Sequence, residues 1–132
     1  MTENRSLVSV VDDDESVRES LPDLLRAFGF SVRAFSSAEK FLASGVVGET
    51  SCLVLDVTMP GMSGPDLQDE LRRRRQQIPI VFITARGDST VGPRLIALGA
   101  VDCLVKPFSE AALLEALKAA LGPRYQGTVE SK

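Results

Sequence analysis

Five polar residues of this chain, Asp12, Asp13, Asp56, Thr84 and Lys106, follow short apolar runs and are types that do chemistry together. Carboxylates brought within about 4 Å of one another repel by several kcal/mol per pair at an effective dielectric of about 20, so a cluster of three wants a cation. The sequence has no histidine, and its two cysteines lack metal-type spacing, which leaves oxygen ligands. Oxygen ligands favour Mg²⁺, which accepts one or two carboxylates, keeps several waters and takes phosphate oxygens as further partners. A carboxylate beside such an ion can act as a nucleophile toward phosphorus and become an aspartyl phosphate. A threonine hydroxyl and a lysine ammonium then donate to and neutralise the phosphoryl oxygens. The set as a whole suits phosphoryl transfer.

Each residue alone has a plainer reading. The segment Asp12-Asp13-Asp14-Glu15-Ser16 can be an acidic N-cap and first turn. Asp56 can be a turn residue before Met59-Pro60-Gly61, Thr84 a strand-end hydroxyl and Lys106 a solvated lysine. Their recurrence at four of the five strand ends overturns these readings, because ligands of open α/β sheets collect at the carboxyl ends of the strands.

The elements that must position them are legible as alternation. Leu7 to Val11, Ser31 to Phe35, Cys52 to Leu55, Ile80 to Ile83 and Val101 to Val105 read as strands, each followed by a helix-period segment. Four of these runs are nearly continuous in Val, Ile and Leu, as expected of parallel strands covered on both faces; Ser31 to Phe35 reads as an edge strand. Five βα repeats in 132 residues predict one α/β domain, a doubly wound five-stranded parallel sheet with right-handed crossovers. Ser63-Gly64-Pro65-Asp66 and Ser109-Glu110 open helices, Ser36 or Ser37 caps the second, and Gly122-Pro123 closes the last. Pro22 predicts a bend in the first helix, Ser16 to Phe28, and Gly92-Pro93 a late or short fourth helix. Residues 1–122 form the domain, and 123–132 read as a polar tail or truncated linker.

Composition narrows the function classes. A net charge of −3 argues against direct nucleic-acid binding by this segment, and no run approaches the roughly 18 apolar residues of a membrane helix. The polar start, with no apolar leader, predicts a cytoplasmic location, and Cys52 and Cys103, inside apolar runs, are expected as buried reduced thiols. Arg72 to Arg75 point about 100° apart on a helix, so they read as a solvated last turn complementing the helix dipole.

The motifs carrying these residues resemble response-regulator receiver domains from Leu7 to Leu121: Val-Val-Asp12-Asp13-Asp14-Glu15, Val-Leu-Asp56-Val-Thr-Met-Pro-Gly-Met-Ser-Gly64, Ile-Thr84-Ala85-Arg86, Gly99-Ala-Val-Asp102 and Lys106-Pro107-Phe108. The wording is most similar to FixJ-type receivers, which are attached to helix-turn-helix output domains. The resemblance implies a flavodoxin-like sheet of order 2-1-3-4-5 and a phosphoacceptor at Asp56, served by a sensor histidine kinase. It implies Mg²⁺ (or Mn²⁺) held directly by Asp13, Asp56 and the Thr58 carbonyl, with Asp12 acting through water. By the same match Thr84 and Lys106 contact the phosphoryl group, the Lys106–Pro107 bond is cis, and phosphorylation can drive homodimerisation or signal to a C-terminal DNA-binding domain outside this chain.

One position departs from the family pattern. Three residues before the lysine, where receivers carry an aromatic switch residue partnering the threonine, stands Cys103. A cysteine cannot reproduce a ring's inward swing, so Cys103 is expected to stay buried while the readout of Thr84 runs through the fourth helix. Thr58 and Arg86, each two positions past a site residue, are candidates to tune dephosphorylation. Among rival readings, Asp12 can be the nucleophile of a haloacid-dehalogenase-like phosphatase (D-x-D-x-S), although the chain shows no acidic pair after the lysine and no room for a cap. A nucleotide- or flavin-binding module would need a phosphate loop where three acids stand, and a phosphorylation-independent pseudo-receiver would have lost an acid, the threonine or the lysine.

Overall fold

The computed structural model describes residues 6–85 and 91–122, and within them the apolar runs become one sheet. Its strands are β1 (Leu7–Val11), β2 (Ser31–Phe35), β3 (Thr50–Asp56), β4 (Ile80–Thr84) and β5 (Asp102–Val105). Its helices are α1 (Glu15–Ala27), α2 (Ala38–Ala43), α3 (Gly64–Arg73), α4 (Val91–Ala97) and α5 (Glu110–Leu121), with a 3₁₀ turn at Val47–Glu49 that the sequence does not announce. Every pairing is parallel and the order is β2-β1-β3-β4-β5, as expected.

The alternation along β3 shows why a doubly covered strand reads as a continuous apolar run. Leu53 and Leu55 pack with Phe41, Leu67 and Phe82 on the side of α2 and α3, while Cys52 and Val54 pack with Leu25, Leu113 and Leu117 on the side of α1 and α5. Both faces of the strand are core, so neither offers a polar position. The start of β3 escapes this signal because Thr50 is polar yet buried. Its hydroxyl donates to the Val46 carbonyl at 2.8 Å and lies 2.8 Å from the Ser9 hydroxyl, which removes the cost of burying both.

β5 corrects the sequence reading. Its apolar run promised cover on both faces, but in this order it is an edge strand, its first three residues are only partly buried and Val105 is exposed. Cys103 is accordingly half-buried, unlike the fully buried Cys52, whose thiol burial pushes up to about 12; neither cysteine is in a disulfide. The expected burial of Cys103 fails because β5 is the last strand of the five-stranded sheet.

Helix ends follow local chemistry. Asp14, Ser37, Ser63 and Ser109 cap α1, α2, α3 and α5 through their side chains, and Ser63 with Asp66 forms a reciprocal capping box. α1 runs as one helix through the buried Pro22, and α4 is short, with Gly92 and Pro93 at its second and third positions. The Arg72 to Arg75 run is partly offset by two acids of its own helix: Arg72 and Arg73 pair with Asp69 at 3.4 and 3.2 Å, and Arg73 and Arg74 pair with Glu70. Hydrogen bonds from Arg74 and Arg73 hold the Glu70 carboxyl below its usual range.

Helices α1, α3 and α4 end in the same double hydrogen-bond motif, in which one amide bonds three residues back and the next bonds five back. The residue between must adopt a left-handed backbone, supplied by Gly29 (φ 101°) and Gly99 (φ 110°) but by Arg75 (φ 60°) after α3. A side chain there costs about 1 kcal/mol. Arg75→Gly is therefore expected to raise stability by about 0.5–1 kcal/mol in urea unfolding, with an unchanged slope.

Candidate functional site

Asp56 and Thr84 are the last residues of β3 and β4, and Asp12 and Lys106 directly follow β1 and β5, so adjacent parallel strands deliver all four to one edge of the sheet. Asp12 stays in line because its amide donates to the Phe35 carbonyl at 3.1 Å, and Lys106 because its amide donates to the Thr84 carbonyl at 2.8 Å. The side chains of Asp12, Asp56 and Thr84 are buried, whereas Asp13 is exposed at the mouth. Carboxylate oxygens of Asp12, Asp13 and Asp56 lie within 4.8 Å of one another. The Lys106 ammonium sits 3.0 Å from Asp12 Oδ2 and 3.9 Å from Asp56 Oδ1.

This arrangement is electrostatically incomplete. Asp12 Oδ1 accepts the Asp14 amide at 2.9 Å, but the buried Oδ2, 3.0 Å from the Lys106 ammonium, has no hydrogen-bond partner among the described residues. Burial, then the charge of Asp12, raise the Asp56 pKa from 3.8 to about 7, with Lys106 opposing and Asp13 adding to the rise. Burial also works against the Lys106 charge, yet its pairing with Asp12 and the charge of Asp56 outweigh that and leave its pKa raised. A buried oxygen short of a partner, in an oxygen-only set of three carboxylates, fits a hard divalent cation.

The sign of a pH effect follows from Asp56. Its folded pKa is raised, so between about pH 4 and pH 7 the folded protein holds a proton that the unfolded chain has released. Stability contributed by that proton is present at low pH and is lost as pH rises through about 7. Metal-free wild type is expected to lose about 1–3 kcal/mol relative to Asp56→Asn between about pH 4 and pH 8, and Mg²⁺ to restore it. Urea midpoints of both proteins across that range, with and without Mg²⁺, check this.

Among the described residues, Thr84 donates a long 3.4 Å hydrogen bond to the Ala85 carbonyl, which a stronger acceptor displaces readily. Thr58 is exposed, two residues past Asp56, and Arg86 lies outside the described residues. At Cys103, a Cβ built on Gly92 of α4 would stand 3.5 Å from its Cβ and 3.7 Å from its Sγ, so helix backbone packs where a switch ring would otherwise need room. The Lys106–Pro107 bond is cis.

Two residues that touch this region carry no signal in the sequence, and a third takes a role there that its motif does not state. Arg18 donates to the Asp12 carbonyl at 3.0 Å from one helical turn into α1. Glu39 of α2 accepts the Met62 amide at 3.1 Å across 23 residues. Gly64, which the sequence offers as part of a helix start and of the motif around Asp56, has its α-carbon against the end of β3: an added Cβ would fall 2.3 Å from the Asp56 carbonyl oxygen and 2.9 Å from the Phe82 ring.

Residues 8–118 match the family model of the response regulator receiver domain. The chain belongs to that family. Among curated receivers it is 46% identical over 121 residues to the response regulator protein TodT of Pseudomonas putida, a match covering 92% of this chain and 53% of TodT. It is 50% identical over 116 residues to nodulation protein W of Bradyrhizobium diazoefficiens, covering 88% of this chain and 51% of that protein. The transcriptional regulatory protein FixJ of Azorhizobium caulinodans is 44% identical, with coverage of 87% and 54%. The chain thus spans about half the length of the curated relatives it matches. Among solved structures, the response regulator StyR superposes with a TM-score of 0.83 at 48% identity, covering 92% of this chain and 61% of that one. FixJ-N superposes with a TM-score of 0.80 at 37% identity, covering 90% and 95%. Receiver membership sets aside the phosphatase and nucleotide-binding readings. As a receiver, this is a signalling domain of two-component systems, and no helix among its described residues is long and apolar enough to cross a membrane.

Proposed function

We propose that this receiver takes one phosphoryl group onto Asp56 from the phosphohistidine of a sensor kinase, in a Mg²⁺-dependent reaction. The observation that carries the reading is the buried Asp56 carboxylate set between two further acids and one lysine at the sheet edge. Asp13, Asp56 and the Thr58 carbonyl would hold the ion, with Asp12 acting through water. Bound there, Mg²⁺ offsets the repulsion among the carboxylates and neutralises phosphoryl oxygens. The chain's own groups do the rest. Asp56 Oδ attacks phosphorus as the bond from phosphorus to the donor nitrogen breaks, Lys106 leaves Asp12 for the new phosphoryl oxygens, and the Thr84 hydroxyl exchanges the Ala85 carbonyl for one of them. Thr58, and Arg86 outside the described residues, are the positions whose substitution would tune the later hydrolysis of the phosphate.

Two surfaces support the partners this reading needs. An open groove of about 510 Å³ beside Lys106, between α1 and the β5–α5 connection, is lined by Val17, Leu21, Leu24 and Phe108 and suits a kinase helix. Ile96, Leu98 and Val105 are exposed on α4, its end and β5, a face suited to phosphorylation-driven homodimerisation. The domain then works in the cytoplasm, and its readout passes to a DNA-binding output domain of the kind the FixJ resemblance implies.

The test is stoichiometry. Acetyl phosphate with Mg²⁺ is expected to add one phosphoryl group per chain, released slowly, with no sustained turnover of an aryl phosphate; continued turnover would instead favour a phosphatase and sink the reading.

A further inference from the structure

Beyond the residues of the site itself, we infer that Glu39 is a positioning residue, whose carboxylate holds the β3–α3 loop in the shape that presents the Thr58 carbonyl to the metal. This rests on the Mg²⁺-dependent reading above and adds to it a residue of α2, an element that supplies none of the site residues.

The loop runs from Val57 to Ser63, and its amides show how it is held. Gly64 N–H closes the base on the Val57 carbonyl at 3.0 Å, and Ser63 N–H is taken by Asp66 Oδ2 at 3.1 Å inside the helix cap. Both bonds are local. Pro60-Gly61, with Gly61 at φ 75°, has the form of a type II turn, which would ordinarily close by a bond from the Met62 amide to the Met59 carbonyl. Here the Met62 amide donates instead to Glu39 Oε2 at 3.1 Å. The same oxygen lies 3.0 Å from where a Cβ of Gly61 would stand, so the carboxylate nests against the one residue of the turn that lacks a side chain. Glu39 is itself well placed: it sits in the first turn of a helix capped by Ser37 and anchored by buried Ala38 and Phe41.

The consequence falls on Thr58. It is exposed, between Val57 at the loop base and the buried Met59, so its carbonyl direction depends on the turn that follows. Releasing Met62 lets the turn pivot about Met59, and a backbone ligand, unlike a carboxylate, cannot correct its aim through its own torsions.

Amide exchange of ¹⁵N-labelled protein and calorimetric Mg²⁺ titration test this together. Glu39→Ala is expected to speed Met62 amide exchange about tenfold or more and to weaken Mg²⁺ binding about three- to tenfold, as suits one exposed charge-assisted hydrogen bond. Glu39→Gln, which keeps an acceptor, is expected to stay within about twofold of wild type on both readouts. Unchanged Mg²⁺ affinity in Glu39→Ala would overturn the inference, as would equal losses in Ala and Gln, which would assign the effect to charge. Wild type that binds no Mg²⁺, or binds it no better than Asp13→Asn, would count against the metal reading itself.

Discussion

Asp56→Asn is expected to gain no mass from acetyl phosphate and Mg²⁺, while wild type gains that of one phosphoryl group. The asparagine keeps the shape at the end of β3 and removes the nucleophile, so the loss should be complete. It also removes the charge that the neighbours strain to hold, which should leave the variant as stable as wild type or more so above about pH 7. That pairing of outcomes is diagnostic, because damage to the fold would lower labelling and stability together. Asp12 is the informative comparison. It is the most buried acid of the three and the nearest to Lys106; its Oδ1 is held by the Asp14 amide, and its Oδ2 lies 3.0 Å from the ammonium although it lacks a hydrogen bond. Asp56 lacks such close partners, its Lys106 contact being 3.9 Å, so it is the carboxylate left to react. Labelling of Asp56→Asn to the wild-type level would place the acceptor elsewhere and defeat the proposed function.

How much of this was legible depended on whether a residue's role was local. The strand runs, the caps and the place of Asp56 at a strand end are legible because each rests on its own neighbours in sequence: Asp56 ends a run whose both faces are core, and Ser63 caps a helix three residues from Asp66. β5 was misjudged because apolar continuity reports the residues of a strand and not whether another strand lies beside it. Cys103 was misjudged with it. Arg18 and Glu39 had no signal, since an arginine or glutamate on a helix is ordinarily solvated and only the fold brings one to Asp12 and the other to Met62. The start of β3 was hidden by Thr50, whose polarity argues for a loop until Ser9 and the Val46 carbonyl are seen to satisfy it.

Gly64→Ala is the second change with a large expected effect, and it acts on the site through backbone alone. The backbone conformation at Gly64 is not what demands glycine; space is. A methyl there would stand 2.3 Å from the Asp56 carbonyl oxygen, 2.9 Å from the Phe82 ring and 3.1 Å from the Val57 α-carbon. None of these is the flexible end of a side chain. Phe82 is fully buried, and the Asp56 amide plane is fixed by sheet pairing to β4. The start of α3 must therefore back away from the end of β3, stretching the Gly64 amide from the Val57 carbonyl that closes the loop. Overpacking of this kind costs about 3 kcal/mol, and an ångström of misplacement at a reacting group can cost about a hundredfold in rate. Gly64→Ala is expected to lose about 3 kcal/mol in urea unfolding and to slow phosphorylation by acetyl phosphate at least about tenfold, even at temperatures where it remains folded. Gly48→Ala, in the 3₁₀ turn with nothing within 4 Å of the new methyl, should change neither. A Gly64→Ala protein that is destabilised but phosphorylated at the wild-type rate would show that the end of β3 tolerates the shift, and that the Asp56 carboxylate is aimed by its side-chain neighbours and not by the backbone beneath it.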